Sequence, residues 1–132
     1  MARAFNLVVF DGTISGNNAA PPEFYSSQEH AALLGSVERL QFQLIVRAVS
    51  DFTNPADIQT TYEITNAPEY DAWAESTVKP IDSVTAIGDL PAVFLHQVSN
   101  FQDQAAYGRF KLKCTTDNIV VHVQLVVAGY AD

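Results

Sequence analysis

Cysteine occurs once, at Cys114, so no internal disulfide can form and the fold must be held by packing. Charge is scarce too: 17% of the 132 residues are charged, where about 25% is usual. Basic residues are the scarcer half, 7 Lys and Arg against 15 Asp and Glu, for a net charge of −8. That sign argues against nucleic acid, whose binding runs on phosphate neutralisation, and against an anionic lipid surface. Long apolar runs are missing as well. The first, Leu7 to Phe10, stops at Asp11 and is too short for a signal peptide or a spanning helix, so the chain is expected to be made or assembled in the cytoplasm.

Catalytic motifs are also missing. There is no G-x-S-x-G, P-loop or G-x-G-x-x-G pattern. His30, His96 and His122 are too scattered for HxH or HExxH ligand spacing, and a single strand histidine is more often a satisfied side chain than a ligand. Asp51, Asn54 and Asp57 lack the glycine and the terminal glutamate of an EF-hand; a weak loop calcium site is the only metal reading they offer. The chain reads as a non-enzyme without catalytic, cofactor-binding or metal-binding residues.

What is present is alternation. Leu40, Phe42, Leu44, Val46 and Ala48 fall on one face of a strand, with Gln41, Gln43 and Arg47 on the other. The breakers Ser50, Asp51, Asn54 and Pro55 follow, and then Ile58, Thr60, Tyr62 and Ile64 alternate with Gln59, Thr61, Glu63 and Thr65. This pair reads as a hairpin. A second hairpin is read near the end: Phe110, Leu112 and Cys114 against Arg109, Lys111 and Lys113, a turn at Thr115–Asn118, then a strand from Ile119 to Val127. That last strand is apolar on much of both faces, which fits a central strand or one covered at a subunit contact, with Val120 and Val126 as candidate interface residues.

Elsewhere the signals are shorter. Phe5–Phe10 reads as a first strand ending at Asp11-Gly12, Glu23–Tyr25 as a short edge strand, Ser83–Ile87 and Ala92–Val98 as two further strands. Ser26 to Glu29 matches a capping box, so one short helix to Gly35 competes with an extended segment. The fold class is therefore all-β, a two-sheet antiparallel β-sandwich with at most one short helix, in a single domain over 1–132 whose residues 1–36 are partly irregular.

Two groups of side chains carry a functional reading beside a structural one. Arg109, Lys111 and Lys113 make a basic row in an acidic chain, either guarding a sheet edge or meeting an acidic patch such as Glu63 or Asp71 of a neighbouring copy. Tyr62, Tyr70 and Trp73 are either core and end-plug, or, for Tyr70 and Trp73, a platform on which a sugar ring stacks.

The order LQFQLIV, loop, TTYEITNAPEYDAW, and later YGRFKLKCTTDNIVVHVQLVV, resembles the strand pattern of small jelly-roll-like β-sandwich virion proteins of tailed phages. The resemblance spans roughly residues 40–127, with Asn66-Ala67-Pro68-Glu69-Tyr70 in place of the usual Asn-Asp-Gly turn. It implies a structural, non-enzymatic capsid decoration protein without cofactor, located in the virion. Its partners would be further copies of itself, a trimer first among the assemblies, and a major capsid protein, with no nucleic acid or membrane. On that reading residues 1–36 and the last strand make the contacts, and deleting residues 1–25 leaves a folded sandwich but abolishes assembly. The alternative is a carbohydrate-binding β-sandwich using Tyr70 and Trp73.

Overall fold

Strict alternation over Leu40 to Val46 buries Leu40, Phe42, Leu44 and Val46 at no more than 1% exposure. Val121, Val123, Leu125 and Val127 are buried in the same way from the last strand. These two strands lie side by side at the middle of one sheet. In the computed structural model, which describes residues 2–26, 39–70, 72–75, 80–98 and 107–131, the strands are β1 (Ala2–Ser15), β2 (Phe24–Tyr25), β3 (Arg39–Val49), β4 (Ala56–Thr65), β5 (Ala74–Glu75), β6 (Ile81–Val84), β7 (Ala92–Val98), β8 (Tyr107–Cys114) and β9 (Val120–Ala131).

They form two antiparallel sheets, one ordered β1-β9-β3-β7, the other β2-β8-β4-β5 with β6 also on β4. Successive strands mostly alternate between the sheets, as in a jelly roll. The inner faces meet through Phe42, Phe110 and Tyr62, whose ring centroids follow one another at 5.2 Å. Each such ring pair adds about 1 kcal/mol beyond the area it buries. Tyr62 fits because residue 108 is glycine: a Cβ there would run into the Tyr62 ring.

The two expected hairpins are not hairpins. β3 pairs with β7 and β9, β4 with β5, β6 and β8, so β3–β4 and β8–β9 each cross from one sheet to the other. Alternation says which face is buried, not which strand lies alongside. The crossing loops are tied to each other instead. Ser50 N donates to Val120 O at 2.9 Å, Val120 N to Ser50 Oγ at 2.9 Å, and Thr115 N to Asp57 O at 3.0 Å. Asn118, at φ 57°, supplies the left-handed residue of the second crossing, a conformation asparagine tolerates well.

Three further expectations change. The first strand does not stop at Asp11-Gly12: it pairs with β9 through Ser15, shedding register at bulges between Arg3 and Phe5 and between Val8 and Phe10. Residues 2–15 are therefore sheet rather than an irregular arm, and Val9 and Ile14 are core. Ala48 is exposed, because a register shift between Val46 and Ala48 moves it off the buried face. The strand expected at Ser83–Ile87 runs Ile81–Val84, and Ile87–Asp89 forms a 3-10 turn. The helix expected after Ser26 and the loop Ser99–Ala106 lie outside the described residues.

Candidate functional site

The basic row sits on the outer face of the second sheet, opposite acids of the same chain. Register places Arg109 across from Glu63, and Glu63 across from Glu75. Two carboxylates facing each other on neighbouring strands destabilise a sheet unless a cation intervenes. Lys111 supplies one: its Nζ donates to Glu75 Oε1 at 2.6 Å and lies 3.7 Å from Glu63 Oε2. Burial works against the Lys111 charge, but the Glu75 hydrogen bond and the Glu63 and Glu75 charges outweigh it and hold the ammonium above its ordinary range. Arg109 Nε donates to Glu63 Oε1 at 2.8 Å, both side chains being about nine-tenths buried.

Aromatic rings complete the cluster. The Arg109 guanidinium carbon lies 4.1 Å from the Tyr25 ring centroid and 4.3 Å from that of Trp73, within cation–π range of both. Tyr25 Oη donates to Glu23 Oε2 at 2.5 Å; that bond pushes the phenol pKa up and draws the Glu23 carboxyl down. Trp73 thus lies half-buried on the outer sheet face rather than plugging an end, with one ring face taken by Arg109. Tyr62 is core, while Tyr70 stands 78% exposed on the 3-10 turn Pro68–Tyr70. Tyr70 and Trp73 are therefore in different settings, one open and one engaged. Lys113 is half-buried farther along β8, opposite Gln59. Asp71 lies outside the described residues.

The outer face of the first sheet is different in kind. Strand register aligns Val8, Val126, Gln43 and Leu95 in one row across all four strands. The next row reads Asn6, Ala128, Gln41 and Gln97, and the row on the other side Asp11, Gln124, Ile45 and Val93. Val8 is 53% exposed, Val93 53%, Leu95 61% and Val120 49%. A shallow depression of about 190 Å³ lies here, lined by Asn6, Gln41, Gln43, Leu95, Val126, Ala128 and Tyr130. Of the two candidate interface residues on β9, Val120 is exposed and Val126 half-buried, both on this face.

Both histidines among the described residues are engaged. His122 Nε2 lies 2.9 Å from Asp11 Oδ1, and that contact, then Gln124, lowers the Asp11 carboxyl pKa. His96 Nε2 lies 2.8 Å from Asp82 Oδ2, bridging the two sheets where β7 and β6 face each other, and its ring packs on Phe42 at 5.2 Å. His30 lies outside the described residues. Burial raises the Cys114 pKa, as for a structural thiol. Asp51 Oδ1 accepts from Thr53 N and Oγ1, and Asp57 from Ser83 Oγ, so the loop considered for calcium is internally bonded. Among the described residues no three His, Cys, Asp or Glu side chains gather to hold a metal, and no helix is long and apolar enough to cross a membrane.

Sequence reading missed Tyr25, Glu75 and Asp11 as partners. Ala92–Val98 was legible as a strand, but a strand pattern alone does not say that its outer face stays open.

No protein-family model and no curated protein sequence matches the chain. Solved structures do. The CBM22-1–GH10 segment of xylanase 10B from Clostridium thermocellum, complexed with xylohexaose, aligns with TM-score 0.57 at 10% identity over 96% of this chain and 26% of that one. PirA aligns with TM-score 0.50 at 8% identity, covering 93% of each chain. A chain of Cocksfoot mottle virus aligns with TM-score 0.46 at 10% identity over 99% of this chain and 95% of that one. The chain spans about a quarter of the xylanase segment. What it shares with the xylanase segment and PirA is a fold, the two-sheet β-sandwich.

Proposed function

We propose that the chain is a non-enzymatic structural protein of a phage-like particle, attached to the shell and to its own copies through the outer face of the first sheet. One observation carries this reading: the Val8–Val126–Gln43–Leu95 row is uncharged and apolar at all but Gln43, bordered by Asn6, Ala128, Gln41 and Gln97 on one side and by Asp11, Gln124, Ile45 and Val93 on the other. An antiparallel sheet normally turns a polar face to water. An apolar centre with a largely polar rim is the composition of a protein contact, and it needs no cofactor. Repetition over many copies turns a modest contact into lasting attachment. The test is cosedimentation of the purified chain with empty tailed-phage shells. Binding abolished by Val126→Glu, in a variant that still folds, supports the reading; wild-type chain that stays at the top of the gradient overturns it.

A second reading, carbohydrate binding, has one observation in its favour, the exposed ring of Tyr70. Arg109 on the Trp73 ring weighs against a two-ring platform. Titration with xylohexaose, followed by tryptophan fluorescence, separates the two: no change is expected, and a saturable shift lost in Tyr70→Ala would favour the sugar.

A further inference from the structure

Sheet edges expose unpaired N–H and C=O groups, and proteins blunt them with bulges, charges or brevity. Four edges here are blunted in that way. β1 carries two bulges and Asp11, β2 and β5 are two residues each, and β6 is four. β7 is the exception. It runs seven residues, Ala92–Val98, in unbroken register with β3, and holds no Lys, Arg, Asp, Glu, Pro or Gly. Among the described residues its other side pairs with nothing.

Large apolar side chains are exposed along it and in the chain before it. Ile81 (64% exposed), Ile87 (76%), Val93 (53%) and Leu95 (61%) lie in the short stretch that leads into β7 and along it, half of the eight large exposed hydrophobics among the described residues. A soluble chain with a long, neutral, apolar edge has an occupant for it.

We infer that β7 pairs antiparallel with β7 of a second copy about a two-fold axis at Leu95, joining two four-stranded sheets into one of eight. This deepens, and rests on, the proposed self-association. The neutrality of the strand admits a second copy as the occupant. Two chains of net charge −8 repel each other, and this edge lets them meet without a carboxylate on either strand. The length selects the register, because an axis at Leu95 is the one that pairs all seven residues. Ala92 then faces Val98 of the second copy, Val93 faces Gln97, and Phe94 faces His96. Parity is kept, so the apolar outer row continues across the axis from Leu95 to Leu95, and the contact is isologous and closes on itself.

The experiment combines light scattering with hydrogen exchange on the full chain, from dilute to concentrated, for wild type and Leu95→Lys. Leu95 is largely exposed, so the variant keeps the fold, and it sets two ammonium groups side by side at the axis. The expected result is a dimer or an even multiple, slower exchange of β7 amides as concentration rises, and a dissociation constant raised at least about tenfold by Leu95→Lys. A trimer overturns the two-fold pairing. So does an oligomer whose β7 amides exchange at the same rate at every concentration, although self-association then stands. A chain that stays monomeric yet cosediments with shells overturns the strand pairing alone.

Discussion

Arg109 and Glu63 face each other on adjacent strands, Nε to Oε1 at 2.8 Å, each about nine-tenths buried although both point away from the core. The pair is covered by the rings of Tyr25 and Trp73 and joined to Lys111 and Glu75. A charge so enclosed is secure only while its partner is present, since removing one member leaves the other desolvated and unpaired.

Glu63→Ala should therefore destabilise the chain by about 3 kcal/mol, far more than an exposed ion pair is worth. Urea unfolding measures it. The double variant Glu63→Leu, Arg109→Met should recover most of the loss, because an apolar pair satisfies the same space. A single-variant loss below about 0.5 kcal/mol would place the pair in the surface class.

The amino-terminal strand is part of the fold. β1 pairs with β9 over most of its length and buries Val9 and Ile14. A chain lacking residues 1–15 should lose cooperative unfolding, seen as the loss of a sigmoidal thermal transition by circular dichroism. A truncated chain that melts like wild type would show β1 to be an accessory arm.

Burial raises the Tyr62 phenol well above its ordinary value of 10.0. The folded pKa being the higher, its contribution is complete below the unfolded value and is lost as pH rises from there toward the folded one. Above pH 10 the unfolded chain gives up a proton that the folded chain keeps, so stability should fall by about 1.4 kcal/mol per pH unit from this group. Tyr62→Phe removes the titration. Urea midpoints between pH 9 and 11.5 should decline less steeply in the variant than in wild type; parallel declines would show that Tyr62 ionises alike in both states.

How far the sequence reached follows from these residues. The inward sets of β3 and β9 were legible because alternation is a direct imprint of which face meets the core. Their partners were not. Ser50–Pro55 and Thr115–Ile119 are short enough to close hairpins, and the choice to cross sheets depends on strands far away in the chain. The basic row was legible as charges in phase, but the acids that answer it arrive from β4 and β5, and the rings over it from β2 and the segment before β5. Nothing local announces such a meeting. The apolar row of Val8, Val126 and Leu95 joins three strands by register alone, which bulges in β1 displace further.

If the chain works by contact with its own kind and with a shell, its molar mass in solution tests the first half directly. Light scattering after size exclusion, over a hundredfold range of concentration, should give an oligomer that persists on dilution or forms reversibly as concentration rises. A single-chain mass at every concentration would contradict self-association and leave only the shell contact to be tested.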